Sequence, residues 1–129
     1  MLHEPISYAS RLAGLSAAIS LHAAARDRDG GFPVEAFDEL FARGLVGEPP
    51  LQFEQAGELL HLLSAVGRGD LSTGRIYEGH VNTLFLIDRF GTPEQRQIAF
   101  RKASDGAVFG VWNTDHYSNP LVLEGDVLK

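Results

Sequence analysis

The sequence predicts a mainly α-helical chain, five helices followed by the first strands of a sheet. Three observations lead there. Apolar residues return at three- and four-residue intervals through residues 8–100, as they do on one face of a helix. The run "DRFGTPEQRQIAF" places helix-stop and helix-start chemistry back to back. After "ASDG" the composition turns to β-branched and aromatic residues, in "AVFGVWNT" and "LVLEGDVLK". Residues 1–105 are therefore read as a helical domain and residues 106–129 as the beginning of a β-domain.

The first helix is expected from about residue 7 to about residue 26, because Tyr8, Leu12, Leu15 and Ile19 recur at helical spacing among alanines. "RDRDGG" stops it. Pro33 suits the first turn of a short second helix, with Val34, Phe37, Leu40 and Phe41 as its buried stripe and Gly44 as its close. "GLVGEPP" reads as a loop. From about residue 51, Phe53, Ala56, Leu60 and Leu63 form one apolar row and Leu59, Leu62 and Val66 another. So wide a face predicts a central third helix.

The fourth helix begins near "GRGDLSTG", where Asp70 or Ser72 can accept from the free amides of the first turn, and ends at Gly91. Its first half mixes Arg75, Glu78, His80 and Asn82 with Ile76, Tyr77 and Val81. Residues 84–87 are apolar on all sides, so the second half is expected to lie deep. At the junction, Gly91 is expected in the left-handed conformation and Pro93 at the first position of the fifth helix. Thr92 and Gln95 then form a capping box. Two short apolar runs around Gly125 and Asp126 predict strands joined by a tight turn. A sheet begun so late reads as unfinished, and the chain is expected to be cut short.

Composition narrows the function classes. With 129 residues, 44% hydrophobic and 22% charged, the chain suits one globular unit. Eleven Lys and Arg against seventeen Asp and Glu leave a charge of -6, which disfavours nucleic acid and anionic membranes as partners. The absence of cysteine removes disulfides, thiol nucleophiles and thiolate metal sites. The N-terminal stretch lacks a basic leader region, and no apolar run reaches the roughly 18 residues of a membrane span. A cytoplasmic protein is the expectation. His3, His22, His61, His80 and His116 include no pair at helical metal-site spacing, so no metal is expected. His80 reads as a hydrogen-bonded helix residue. "GRGDLSTG" reads as a helix start and not as a phosphate cradle. Glu35, Asp38 and Glu39 read as an exposed charged face.

Three segments together resemble the N-terminal half of the acyl-CoA dehydrogenase family of flavoproteins, which includes flavin-dependent monooxygenase relatives. "DRDGGFPVEAFDELFARGL" is similar to the family's early Asp, its Phe-Pro and the short helix closing at Gly-Leu. "AVGRGDLSTGRIYEGHVNTLFLIDRFGTPEQR" resembles its fourth and fifth helices, with Gly-Thr-x-x-Gln-Arg as the best marker. "DGAVFGVWNTD" is similar to the strand that opens the middle β-domain. The resemblance covers nearly all of residues 27–115.

The resemblance implies a five-helix N-terminal domain followed by the first strands of a truncated β-domain. It implies FAD as the cofactor of the complete parent protein, an oxidoreductase that oxidises an acyl thioester between its α and β carbons. The family's catalytic base lies beyond this chain, so no residue here is assigned as catalytic, and flavin binding by this chain alone is expected to be weak or absent. By the same resemblance Thr114 is the leading flavin-contacting residue, with Trp112 and Asn113 beside it. Thr114 otherwise reads as a strand former and Trp112 as core packing. The fourth helix walls the family's acyl pocket, which makes Arg75, Glu78 and Asn82 the substrate-side candidates. They share one helix face, and their other reading is a solvated face carrying an Arg–Glu pair. Where the dehydrogenases continue Thr-Glu-Pro and then Gly-Ser-Asp, this chain reads Thr114, Asp115, His116 and then "YSNP", which leans toward the monooxygenase-like or otherwise divergent branches. A third reading is a non-catalytic helical fragment or subunit that needs a partner chain. The expected partners are an acyl-CoA or other small molecule, and a further copy of the chain or a second chain.

Overall fold

The computed structural model describes residues 7–111 and 117–128. These are mainly helical, with one small antiparallel sheet near the C-terminus. The expected first helix is three pieces: α1 (Tyr8–Leu12), α2 (Leu15–Ser20) and α3 (Ala23–Asp29). The alanine-rich composition favours one continuous helix, but Gly14 sits at φ 68°, a left-handed turn that interrupts it. The break is held from outside. Arg43 Nη1 donates to the carbonyls of Arg11, at 2.8 Å, and Ala13, at 2.6 Å, satisfying groups that a continuous helix would have used internally.

Helix α4 (Val34–Ala42) follows Pro33. Its buried residues are Ala36, Phe37 and Leu40, whereas Val34 and Phe41 are about half exposed. The stripe is therefore turned from the expected one, with Leu40 at its centre and Ala36 at one edge. Of the three acidic residues, Glu35 holds Arg26 through two oxygens at 2.6 to 3.0 Å, Glu39 holds Arg43 at 2.7 Å, and Asp38 faces outward.

A 3-10 turn (Phe53–Gln55) leads into α5 (Ala56–Gly69), which packs against α1, α2 and α6 and is central, as its composition predicts. Leu62 and Val66 are fully buried, while Phe53 and Leu60 stand largely in the open, so the wide apolar face is covered on one flank. Helix α2 crosses α5 so closely that a Cβ on Gly69 would lie 2.8 Å from the Ile19 side chain. Ser16 Oγ donates to the Ala65 carbonyl at 2.7 Å across the same contact.

Asp70 alone separates α5 from α6 (Leu71–Phe90), ending one helix and capping the next. Its Oδ2 accepts from the Thr73 amide at 2.8 Å and the Thr73 hydroxyl at 2.5 Å. The "GRGDLSTG" stretch is thus a helix joint, as its reading as a helix start predicts. Helix α7 (Pro93–Ser104) begins as expected, with Thr92 and Gln95 exchanging both capping-box bonds and Pro93 in the first turn. Gly91, however, is extended, at φ -72° and ψ 154°. Glycine is needed there for space: a Cβ would lie 2.5 Å from the Ile87 carbonyl oxygen.

Two apolar clusters stabilise the helices. The larger joins Leu15, Ile19, Phe37, Leu40, Leu62, Val66 and Tyr77 around the α2–α4–α5–α6 contact; the smaller joins Leu84, Ala99 and Ala103 between α6 and α7. Each fully buried Leu, Ile or Val contributes about 1.5–3 kcal/mol relative to exposure. The depth of α6 runs opposite to expectation. Thr73, Tyr77, His80 and Val81 of its first half are buried, and of residues 84–87 only Leu84 is; Phe85 and Leu86 are more than a third exposed. The apolar composition is real, but among the described residues α7 covers one side of it.

Residues 107–111 leave α7 at Gly106 and form no regular strand. The hairpin expected around Gly125 is present, with β1 (Leu123–Glu124) paired to β2 (Val127–Leu128) in the register Leu123 to Leu128. Gly125 sits at φ 62°, which suits a two-residue turn with glycine in its first central position. No helix among the described residues is long and apolar enough to cross a membrane.

Candidate functional site

Helix α6 organises the region that the sequence singled out. Arg75 and Glu78, three residues apart, form an ion pair on its surface, with the arginine mostly exposed and the glutamate partly so. Glu78 and Asn82 then turn into a groove of about 320 Å³ between α5 and α6, whose other walls are Leu59, Leu63, Val81 and Phe85. The structure thus brings Glu78 and Asn82 together on one apolar groove and leaves Arg75 outside its lining. Trp112, Asn113 and Thr114 lie outside the described residues.

What the structure does define is the approach to them. His80 is buried, with both ring nitrogens committed. The Phe109 amide donates to Nδ1 at 3.0 Å, so Nδ1 is the acceptor, and Nε2 carries the proton and donates to the Val46 carbonyl at 2.8 Å. Burial pushes the imidazole below its ordinary value near 6.5, against an upward pull from the Val46 carbonyl. One turn along, the Thr83 hydroxyl lies 3.0 Å from the Gly110 carbonyl and 2.9 Å from that of Gly79. The Val111 side chain lies beside Gly79, where even a Cβ would meet it at an ordinary contact distance of 3.7 Å. The middle of α6 is therefore a docking face for residues 109–111.

An aromatic series backs this face. Phe37, Tyr77, His80 and Phe109 follow one another at ring-centroid separations of 6.4, 6.1 and 5.9 Å, with the imidazole and Phe109 nearly parallel. Tyr77 donates its phenol to the Leu45 carbonyl at 2.5 Å, and burial raises its pKa, so it is a neutral strut. His80 and Tyr77 together fix the connection after α4, while His80 also fixes the segment after α7.

Two larger grooves flank the exposed end of α6. One, of about 490 Å³, lies between α6 and α7 and is lined by Leu86, Ile87, Phe90, Ile98 and Phe109, with Gln95 and Lys102 as polar members. The other, of about 690 Å³, lies toward the 3-10 turn and carries Phe53, Phe85 and Phe90 beside Asp88 and Arg89. The first is predominantly apolar, whereas the second mixes polar and apolar walls. Thr83 escaped the sequence reading because a threonine in a helix carries no distinguishing signal; its partner is 27 residues away. Comparison with protein-family models, curated proteins and solved structures finds no match.

Proposed function

We propose that this chain is the helical portion of an acyl-CoA dehydrogenase-like flavoprotein. FAD would lie against the segment carrying Trp112, Asn113 and Thr114, and the parent reaction would be oxidation of an acyl thioester between its α and β carbons. The observation that carries the reading is the path of the chain after α7. It leaves the helix at Gly106, is fastened to α6 through His80 and Thr83, and reaches Val111 beside Gly79, one residue before Trp112. A backbone edge held on a helical wall suits a cofactor whose ring needs fixed hydrogen-bond donors along one side. The apolar groove between α6 and α7 suits an acyl chain.

The groove holding Glu78 and Asn82 favours a second reading. A carboxylate and an amide among Leu59, Leu63 and Phe85 fit a substrate with a polar or aromatic head better than a plain fatty chain. That is the chemistry of the flavin-dependent monooxygenase branch, in which reduced flavin activates oxygen.

The test is an NMR titration of the chain with FAD. Weak, fast-exchanging shifts centred on residues 110–116, and reduced by Thr114→Ala, are the expected result. Shifts scattered over the surface, or centred away from residues 110–116, would sink the flavoprotein reading and leave a non-catalytic helical module. Dehydrogenation of an acyl-CoA with an acceptor dye, against oxygen-dependent hydroxylation, separates the two enzymes in a complete parent protein.

A further inference from the structure

We propose that His80 is an acid-released latch: protonation of its Nδ1 removes the acceptor that holds the Phe109 amide and frees residues 108–110 from α6, while the helix stays joined to Val46. The asymmetry of the two bonds makes the device. The neutral ring donates from Nε2 to Val46 and accepts at Nδ1 from Phe109. The imidazolium is a donor at both positions. Its bond to the Val46 carbonyl survives, and is strengthened by the charge. At Nδ1, two N–H groups would instead face each other across the present 3.0 Å, and one of them must leave. The Phe109 backbone is the side that can move, because His80 belongs to a buried helical turn and residues 107–111 form no regular element.

The surroundings leave the switch to this one ring. The connection at residues 45–47 and the docked segment at residues 107–111 carry no ionisable side chain. On α6 itself the neighbouring ionisable ring is Tyr77, whose phenol is committed to Leu45. Helix α7 meets the region through Ala99 and Ala103 and brings one charged residue, Lys102, which lines the same groove as Phe109. Glu48, beyond Val46, is turned outward toward Arg11 at 3.7 Å. Burial and the Val46 carbonyl are what bear on the ionisation, and their net effect keeps the ring neutral while Phe109 is docked.

Release has a structural consequence apart from the lost bond. Phe109 stacks on His80 and also lines the groove between α6 and α7, so its departure opens that groove beside Leu86, Ile87 and Ile98. What remains to hold the segment is the packing of Val108 against the larger apolar cluster, the half-exposed Thr83 contact and the Ala107 amide on the Lys102 carbonyl at 2.9 Å. The latch stands whether or not residues 112–116 meet a flavin.

The experiment is amide hydrogen exchange by NMR from pH 7.5 to 4.5, with His80 ring shifts followed in the same samples. One proton taken up per release predicts that Phe109 protection falls about tenfold per pH unit below about 6.5, until His80 is protonated in the docked state. Leu62 and Val66 amides should keep their protection over that range. Thr83→Val, which weakens docking without touching the ring, should move the His80 midpoint upward. His80→Gln should abolish the acid step; if that variant does not fold, the wild-type and Thr83→Val titrations still decide. Phe109 protection that stays flat while His80 titrates would overturn the latch. So would Phe109 and Leu62 losing protection together, which would mark global unfolding instead.

Discussion

Replacing Gly91 discriminates between two reasons for a glycine at a helix end. In the left-handed conformation, Asn would substitute more gently than Ala, because its side chain tolerates that region. At the observed φ of -72° the obstacle is the Cβ itself, 2.5 Å from the Ile87 carbonyl oxygen. Carbon–oxygen contacts settle at about 3.3 Å or more, so the carbonyl and residue 91 must separate by roughly 0.8 Å. That displacement stretches the Gly91 N–H bond to the same oxygen, now 2.8 Å, and disturbs the Gly91 carbonyl that Arg96 grips at 2.8 Å. Losing one such bond costs about 1 kcal/mol and local overpacking about 1–3 kcal/mol. Gly91→Ala and Gly91→Asn should each lower stability by about 2 kcal/mol, or about 1 M in urea midpoint, read by circular dichroism. Asn outperforming Ala by 1 kcal/mol, or either variant within about 0.5 kcal/mol of wild type, would refute the steric account.

Tyr77→Phe leaves the Leu45 carbonyl buried without its 2.5 Å donor and should cost about 1–3 kcal/mol in urea unfolding, with an unchanged helical spectrum. Leu62→Ala, at a fully buried position in the α5 contact, should cost about 2–5 kcal/mol by the same measurement. Asp70→Ala removes the acceptor of two Thr73 bonds and should cost about 1 kcal/mol at neutral pH. Burial acts to raise the Asp70 carboxyl, but its bonds from Thr73 and Ser72 prevail and hold it below its ordinary value of 3.8. Its stabilising effect is therefore whole above about pH 4 and fades as the pH falls through the lowered folded value, so wild type and variant should converge in acid melts.

The parts of the fold legible in the sequence are those with short-range causes. The capping box at Thr92 and Gln95, the Asp70 cap and the turn at Gly125 are each decided within three residues. What stayed hidden depends on distant partners. The break at Gly14 is sustained by Arg43, about thirty residues on, against an alanine-rich propensity that argues for continuity. His80 was legible as a hydrogen-bonded residue, but its partners Val46 and Phe109 are 34 and 29 positions away. The all-apolar turn at residues 84–87 does not say what covers Phe85 and Leu86, and among the described residues little does. Of the candidate site, Glu78 and Asn82 fall on one groove because helical spacing is a local property. Arg75 leaves that groove because a nearby carboxylate satisfies it at the surface.

The one-residue joint at Asp70 fixes the rotational phase of α6. With no slack between the helices, an inserted residue cannot loop out; it would turn everything downstream by about 100°. Tyr77 and His80 would then swing away from Leu45 and Val46 toward solvent. Length variation between α5 and α6 should therefore be barred.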